Sequence, residues 1–253
     1  MNRVKPNKEI QDETLCGLIK EYHLTYDQTL GYRRMTMYIN RLNHFDFSEG
    51  YIHRLMQFMN IKSRIRRKKT NRKKVKPDYI AENILGRDFA TTKPNEKWLT
   101  DVTEFNIPNQ KGKIFLSPIM DLYDNSIITY KISAKNNNAI VFSMFDDAIN
   151  KYPTAKPIFH SDRGFQYTNK VYKAKLEKQD ITQSMSRPGK CIDNGPMEGF
   201  FGTLKSEMFH TKKYTTYDEL TTAIHTFIDY YNNDRYRARL KNMAPNEFRA
   251  MHI

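Results

Sequence analysis

The chain has 253 residues, 39% hydrophobic and 13% aromatic, with 42 Lys and Arg against 28 Asp and Glu. That length and composition support a folded core with room for a small accessory unit, and the formal net charge of +14 favours a polyanionic partner, most simply nucleic acid. Only Cys16 and Cys191 are present, which excludes a disulfide framework and a cysteine-rich zinc module. No apolar run reaches membrane-spanning length, and MNRVKPNKEIQDE lacks a signal-peptide core, so a reduced, cytoplasmic setting and no membrane partner are expected.

The first segment reads as three short helices. Residues 7–22 place Ile10, Leu15, Leu18 and Ile19 loosely at helical spacing, and GYRRMTMYINRL follows from Gly31. A third helix starts after Ser48, a plausible N-cap, with Ile52, Leu55, Met56 and Met59 at i, i+3, i+4 and i+7. With Arg33, Arg34 and Arg54 available, this unit suits a helix-turn-helix-like module over residues 1–61.

Residues 62–76, KSRIRRKKTNRKKVK, hold ten Lys or Arg and no acid. The run has no helical period and Pro77 follows it. It reads as a solvated linker, assigned to residues 62–93, that tracks a phosphate backbone through Arg66, Arg67, Lys68, Lys69, Arg72, Lys73 and Lys74.

Beyond it the texture becomes α/β. Strands are expected at 97–105, 113–122 and 126–133, a helix at 138–150, a strand at 156–160, a helix at 169–179, a strand at 182–185, and then a helix carrying Glu198. Thr216 and Glu219 form a capping-box pattern ahead of Leu220, Ala223, Ile224, Phe227, Ile228 and Tyr231 at helical spacing. The remaining tail, basic and aromatic, either touches nucleic acid or packs back on the core.

Three acids stand out against this basic background. Asp101 falls in the first strand, Asp162 directly follows the fourth, and Glu198 sits in the first turn of its helix, after Pro196. Acids on neighbouring strands converge, and a helix packed across them can add a third. Such hard oxygen ligands with open positions suit Mg2+ or Mn2+, and two ions can clamp both oxygens of an in-line phosphoryl displacement. Lys205, seven residues after Glu198, faces the same way, about 10 Å along the axis at ~1.5 Å per residue.

Sixty residues separate Asp101 from Asp162, and 35 separate Asp162 from Glu198. With WLTDVTEF, HSDRGFQY, SRPGKCIDNGPMEGFFGTLKSE and YYNNDRYRARLKNMAPNEF, this pattern resembles the orfB-type transposases of the IS-three family, within the DDE superfamily of retroviral integrases. GYRRMTMYINRLN and the words after it are similar to the helix-turn-helix segment of that family, although LGYRR stands where YGYRR is usual.

The resemblance implies an RNase H-like core with a mixed five-stranded sheet flanked by helices, over residues 94–209, and a C-terminal helical and basic extension over 210–253. It implies that Asp101, Asp162 and Glu198 ligate two Mg2+ or Mn2+ ions, that Lys205 holds DNA near the cleaved phosphate, and that the activity is Mg-dependent cleavage and 3′-OH strand transfer of an insertion sequence. The expected partner is double-stranded DNA, bound by a homo-oligomer in the nucleoid. The chain starts with its own Met1 and has no heptad repeat, so a frameshift fusion with an upstream helix-turn-helix and leucine-zipper frame is a further expectation. An RNase H-like nuclease without strand transfer and a non-catalytic DNA-binding regulator are the rival readings.

Secondary candidates surround the acids. Arg163, Gly164 and Gln166 are expected to shape a loop at the DNA, unless Gly164 simply makes a turn, and Arg187 and Lys190 flank a Pro-Gly pair in a loop that either orders on DNA or is plainly exposed. His160 either orients the site or contacts DNA, or simply packs at a strand end. Asn194 either positions a water or DNA, or caps its helix. Asp121, Asp124 and Glu104 match no motif word and are not expected as ligands, and Glu207 falls on the opposite helix face from Glu198.

Overall fold

The computed structural model describes residues 7–64, 80–107 and 112–252. The seven basic residues assigned to the linker, Arg66 to Lys74, lie outside them. The chain divides into two compact units, residues 1–68 with 209–211, and 69–208 with 212–253.

The first unit holds α1 (Asn7–Thr25), α2 (Tyr32–Asn43) and α3 (Glu49–Phe58). Ser48 caps α3 as expected, its hydroxyl accepting from the Tyr51 N–H at 3.3 Å. Leu15, Ile19, Met35, Tyr38, Ile39, Ile52 and Met56 form its interior, and the Asn43 amide donates to the Tyr22 hydroxyl at 2.9 Å. Ile10, expected on the buried stripe, is instead 50% exposed, because the interior begins a turn later, at Leu15.

In the second unit, the expected first strand is broken. β1 (Lys97–Thr100) and β2 (Thr103–Asn106) are two parts of one path along β3 (Lys113–Asp121), interrupted at Asp101 and Val102. β3 pairs antiparallel with both and, on its other side, with β4 (Ile127–Ser133). β5 (Ile158–Ser161) lies parallel to β1, and β6 (Thr182–Met185) parallel to β5. Counting β1 and β2 as one path, the sheet has the five-strand, mixed character anticipated from sequence.

Alternation sends Trp98, Ile119, Ile128 and Phe159 to one face, where α4 (Asn138–Lys151) and α5 (Lys170–Lys178) supply Met144, Phe145, Tyr172 and Leu176. Leu99, Leu116 and Met120, equally buried, turn to the other face, as do the apolar sides of α6 (Gly195–Leu204) and α7 (Tyr217–Asn233). The Thr216–Glu219 capping box forms in both directions.

Two features of this unit were not read from the sequence. Residues 81–85, placed at the end of the linker, run along the free edge of β6. The Met185 N–H donates to the Glu82 carbonyl at 3.1 Å, and the Leu85 N–H to the Ser184 hydroxyl at 3.0 Å. The tail ends in α8 (Pro245–Met251), whose Arg249 donates to Asp124 Oδ2 at 2.5 Å and to Asp121 Oδ2 at 2.6 Å. Both acids are fully buried. Burial pulls the Arg249 pKa down, but its bonds to Asp124 and the two carboxylate charges outweigh that and hold it charged.

Arg249→Ala strands two carboxylates in the interior. The expected loss is about 3–5 kcal/mol of stability, measured by urea denaturation, whereas Arg249→Lys keeps the charge and is expected to lose less.

Candidate active site

The site begins with the parallel pairing of β1 and β5. Leu99 stands opposite His160, and two residues further along each chain come Asp101 and Asp162. Neighbouring strands lie about 4.8 Å apart, so the two acids leave the sheet side by side at its carboxyl edge. Asp101 is 4% exposed and Asp162 half-buried. Asp101 Oδ1 accepts from the Val102 N–H at 2.7 Å, at the break between β1 and β2. Asp162 Oδ1 accepts from the Gly164 N–H at 2.8 Å, which curls the following loop back toward the strand end.

Behind the pair lies Tyr167, fully buried, a residue the sequence reading quoted within HSDRGFQY but did not single out. The Thr100 hydroxyl donates to the Pro118 carbonyl at 2.9 Å, so the Tyr167 hydroxyl, 3.1 Å away, donates to Thr100. Burial pushes the Tyr167 pKa well up, and the charges of Asp101 and Asp162 push it further, so both carboxylates lie within electrostatic reach of the same phenol.

Glu198 is half-buried in the first turn of α6, which follows a 3-10 turn, Cys191–Asn194. The Asn194 amide, 3% exposed, donates to the Thr100 carbonyl at 3.1 Å and so ties the start of α6 to the end of β1. That bond also fixes the amide orientation, since the flipped form would set oxygen against oxygen. Asn194 Oδ1 is then buried without a hydrogen-bond partner. An orphaned acceptor of this kind is completed by a buried water or by the hydration shell of an ion.

The oxygen donors at the Asp101–Asp162 edge suit a small, hard divalent cation. Among the described residues no three His, Cys, Asp or Glu side chains stand close enough to share an ion as the side chains are placed.

The secondary candidates divide. His160 is completely buried, with Nδ1 2.9 Å from the Ser184 hydroxyl and Nε2 3.0 Å from that of Ser186. Burial lowers its pKa to about 4, so it is a neutral brace between β5 and the chain beyond β6 rather than a DNA contact. Arg163 Nε donates to the Ser186 carbonyl at 2.8 Å. Arg187 donates to Asp193 through Nε at 2.9 Å and Nη2 at 2.8 Å, while Lys190 is exposed in the same loop. Lys205 is half-buried, with Nζ 5.3 Å from the ring centroid of Phe105 on β2. Glu207 is buried on Arg235, with bonds of 2.8 and 2.9 Å, and Glu104 pairs with Lys113 at 2.9 Å.

A mixed sheet with helices on both faces and two acids at the end of its parallel β1–β5 pair defines an RNase H-like α/β core. The family profile described as Integrase core domain matches residues 91–191, a second of the same description matches 198–253, and HTH-like domain matches 10–69. The chain is 40% identical over 202 residues to an uncharacterized transposase-like protein of Haemophilus influenzae, covering 80% of this chain and 93% of that one. It is 40% identical over 224 residues to the putative transposase InsK of insertion sequence element IS150 from Escherichia coli, covering 87% and 77%. In fold it is similar to a chain of the simian T-cell lymphotropic virus intasome, with TM-score 0.54 and 13% identity over 92% of this chain and 74% of that one. The chain belongs to the IS3-family insertion-sequence transposases, with an HTH-like domain and an integrase core.

A Cβ added at Gly164 would stand 3.0 Å from Asp162 Oδ1 and 3.1 Å from Gln166 Oε1. Gly164→Ala is expected to turn the Asp162 carboxylate and weaken Mn2+ binding about tenfold, read by titration calorimetry, with the fold kept.

Proposed function

We propose that this transposase cuts a phosphodiester at the end of its own insertion sequence and joins the freed 3′-OH to a second DNA site, with Asp101, Asp162 and Glu198 as the catalytic acids. The observation that carries this reading is the register of β1 and β5, which sets the first two acids side by side, together with the Asn194–Thr100 bond that starts the Glu198 helix at the same strand end.

Asp101, Asp162 and Glu198 are the residues that would hold two Mg2+ or Mn2+ ions. When bound, such a pair supplies charge neutralisation on both sides of the reacting phosphorus. In the first step a water oxygen bonds to phosphorus and the 3′ oxygen leaves as the free hydroxyl. In the second step that hydroxyl attacks another phosphodiester and displaces its 3′ oxygen. Neither step needs a covalent protein intermediate or a nucleotide cofactor.

The protein's part is alignment. The Tyr167–Thr100–Pro118 chain stiffens the floor under the two aspartates, and Gly164 lets the loop after Asp162 pass close to its carboxylate. Lys205 supplies a cation on the Glu198 helix for the DNA backbone.

In this reading the partner is double-stranded DNA, at the element end and at the target. The HTH-like domain and the basic run at 62–76 bind it through phosphates, and the chain acts as a homo-oligomer in the nucleoid. An upstream-frame helix-turn-helix and leucine-zipper segment, joined by frameshifting, is a further partner.

Glu198→Gln is expected to lower Mg2+-dependent cleavage and strand transfer of a labelled element end by more than about a thousandfold, with DNA affinity in a filter assay held within about twofold. Cleavage without joining would mark a nuclease. No cleavage by the unmutated chain, alone or with an upstream partner, would leave a DNA-binding regulator.

A further inference from the structure

We propose that Arg87 and Arg187, both hung on the buried Asp193, form a preset clamp for one DNA backbone phosphate beside the Glu198 helix. The proposal rests on the DNA-processing reading above and adds a site to it.

Asp193 is fully buried, yet its oxygens receive five hydrogen bonds. Oδ1 accepts from Arg87 Nε at 2.6 Å and Arg187 Nη2 at 2.8 Å. Oδ2 accepts from Arg187 Nε at 2.9 Å, the Arg187 N–H at 3.0 Å and Asn83 Nδ2 at 3.1 Å. The hydrogen bonds from Arg187, the largest cause, with those from Arg87, hold the carboxyl well below the usual carboxylate range despite its burial. The carboxylate is therefore charged and saturated.

One arginine would neutralise it, so the second is a surplus positive charge. The two arginine side chains remain 40% and 49% exposed. Arg87 Nη1 and Nη2 and Arg187 Nη1 have no hydrogen-bond partner among the described residues, so three charged NH2 groups stay available on a fixed frame. A forked, planar donor set of this kind matches a phosphate.

The frame is held under strain. Arg87 has φ +68°, a left-handed conformation unusual for a residue other than glycine, directly after Gly86 at φ +57°. The chain bends there to bring Arg87 onto an acid 106 positions away. The surroundings are also basic. Arg163 is bonded to the Ser186 carbonyl, and Lys190 is exposed in the loop that leads into α6, which adds two further cations to that stretch.

The location fits a strand passing the acids. Asn194, the next residue after Asp193, is bonded to the Thr100 carbonyl beside Asp101, and Glu198 follows one turn later. Asp193 is then a positioning residue: it aims both guanidiniums and fixes where α6 begins.

The test uses the full chain and a fluorescein-labelled duplex of about 30 base pairs and arbitrary sequence, titrated by anisotropy over a range of NaCl concentrations. Arg87→Gln and Arg187→Gln are each expected to weaken binding about fivefold at low salt and to make the log–log salt slope shallower by ~0.9. Asp193→Asn, which keeps both arginines but loosens their frame, is expected to weaken binding with less change in slope. A second measurement needs no variant: phenylglyoxal modification of the unmutated chain, read by mass spectrometry, should label Arg87 and Arg187 in the free protein and spare them in the complex. Unchanged slopes and equal labelling in a chain that still binds and cleaves DNA would overturn the clamp alone. A chain that neither binds nor cleaves DNA would overturn the reading on which it rests.

Discussion

The geometry of the core turns on two like charges held at adjacent ends of parallel strands. Parallel pairing of β1 with β5 makes Asp101 and Asp162 neighbours by register alone, without any turn or side-chain contact to arrange it. Two like charges as close as one strand spacing, about 4.8 Å, would repel by roughly 3–4 kcal/mol at the effective dielectric of a protein surface. The architecture around them reads as a means of holding that arrangement. Thr100 and Tyr167 brace the strand ends, His160 ties β5 to the chain beyond β6, and Asn194 fastens the next helix to the same place.

Buried acids elsewhere in this unit are each met by arginine from a distant part of the chain. Asp121 and Asp124 are met by Arg249 of α8, Glu207 by Arg235 from the segment after α7, and Asp193 by Arg87 from before the sheet. Arginine suits this task because its planar fork can satisfy one or two carboxylates at once. These pairs staple the outlying segments, residues 80–96 and the tail, onto the sheet. The tail's basic character is thus partly structural: Arg235 and Arg249 are largely spent inside the fold.

Much of this was legible from the sequence where local chemistry decides structure. Ser48 and Thr216 announced helix starts, the apolar stripe of α7 kept its period, and β6 could be placed to the residue. The spacing of Asp101, Asp162 and Glu198 marked them as a set, and the fold adds the adjacency of the first two. What escaped depends on contacts between remote residues. Nothing near Arg87 indicates that it meets Asp193, an acid 106 positions away that Arg187 also bonds. The segment 81–85, Ala-Glu-Asn-Ile-Leu, is too short to carry a period, and its place along the edge of β6 depends on bonds to Ser184 and Met185, about a hundred positions away. The break after Thr100 was likewise hidden, because Asp101 and Val102 sit inside a continuous β-forming run.

The helix bearing Glu198 ends in a wide π turn, Lys205–Phe209. Such a turn accommodates one more residue than a regular α-helical turn, which rotates all that follows by about 100°. Lys205 keeps the phase it shares with Glu198, while Glu207 and Met208 obey a different one and sink inward. A one-residue deletion here would restore a uniform helix and swing the two buried side chains away from their seats. In this chain the turn is therefore a fixed ruler between the Glu198 helix and the tail.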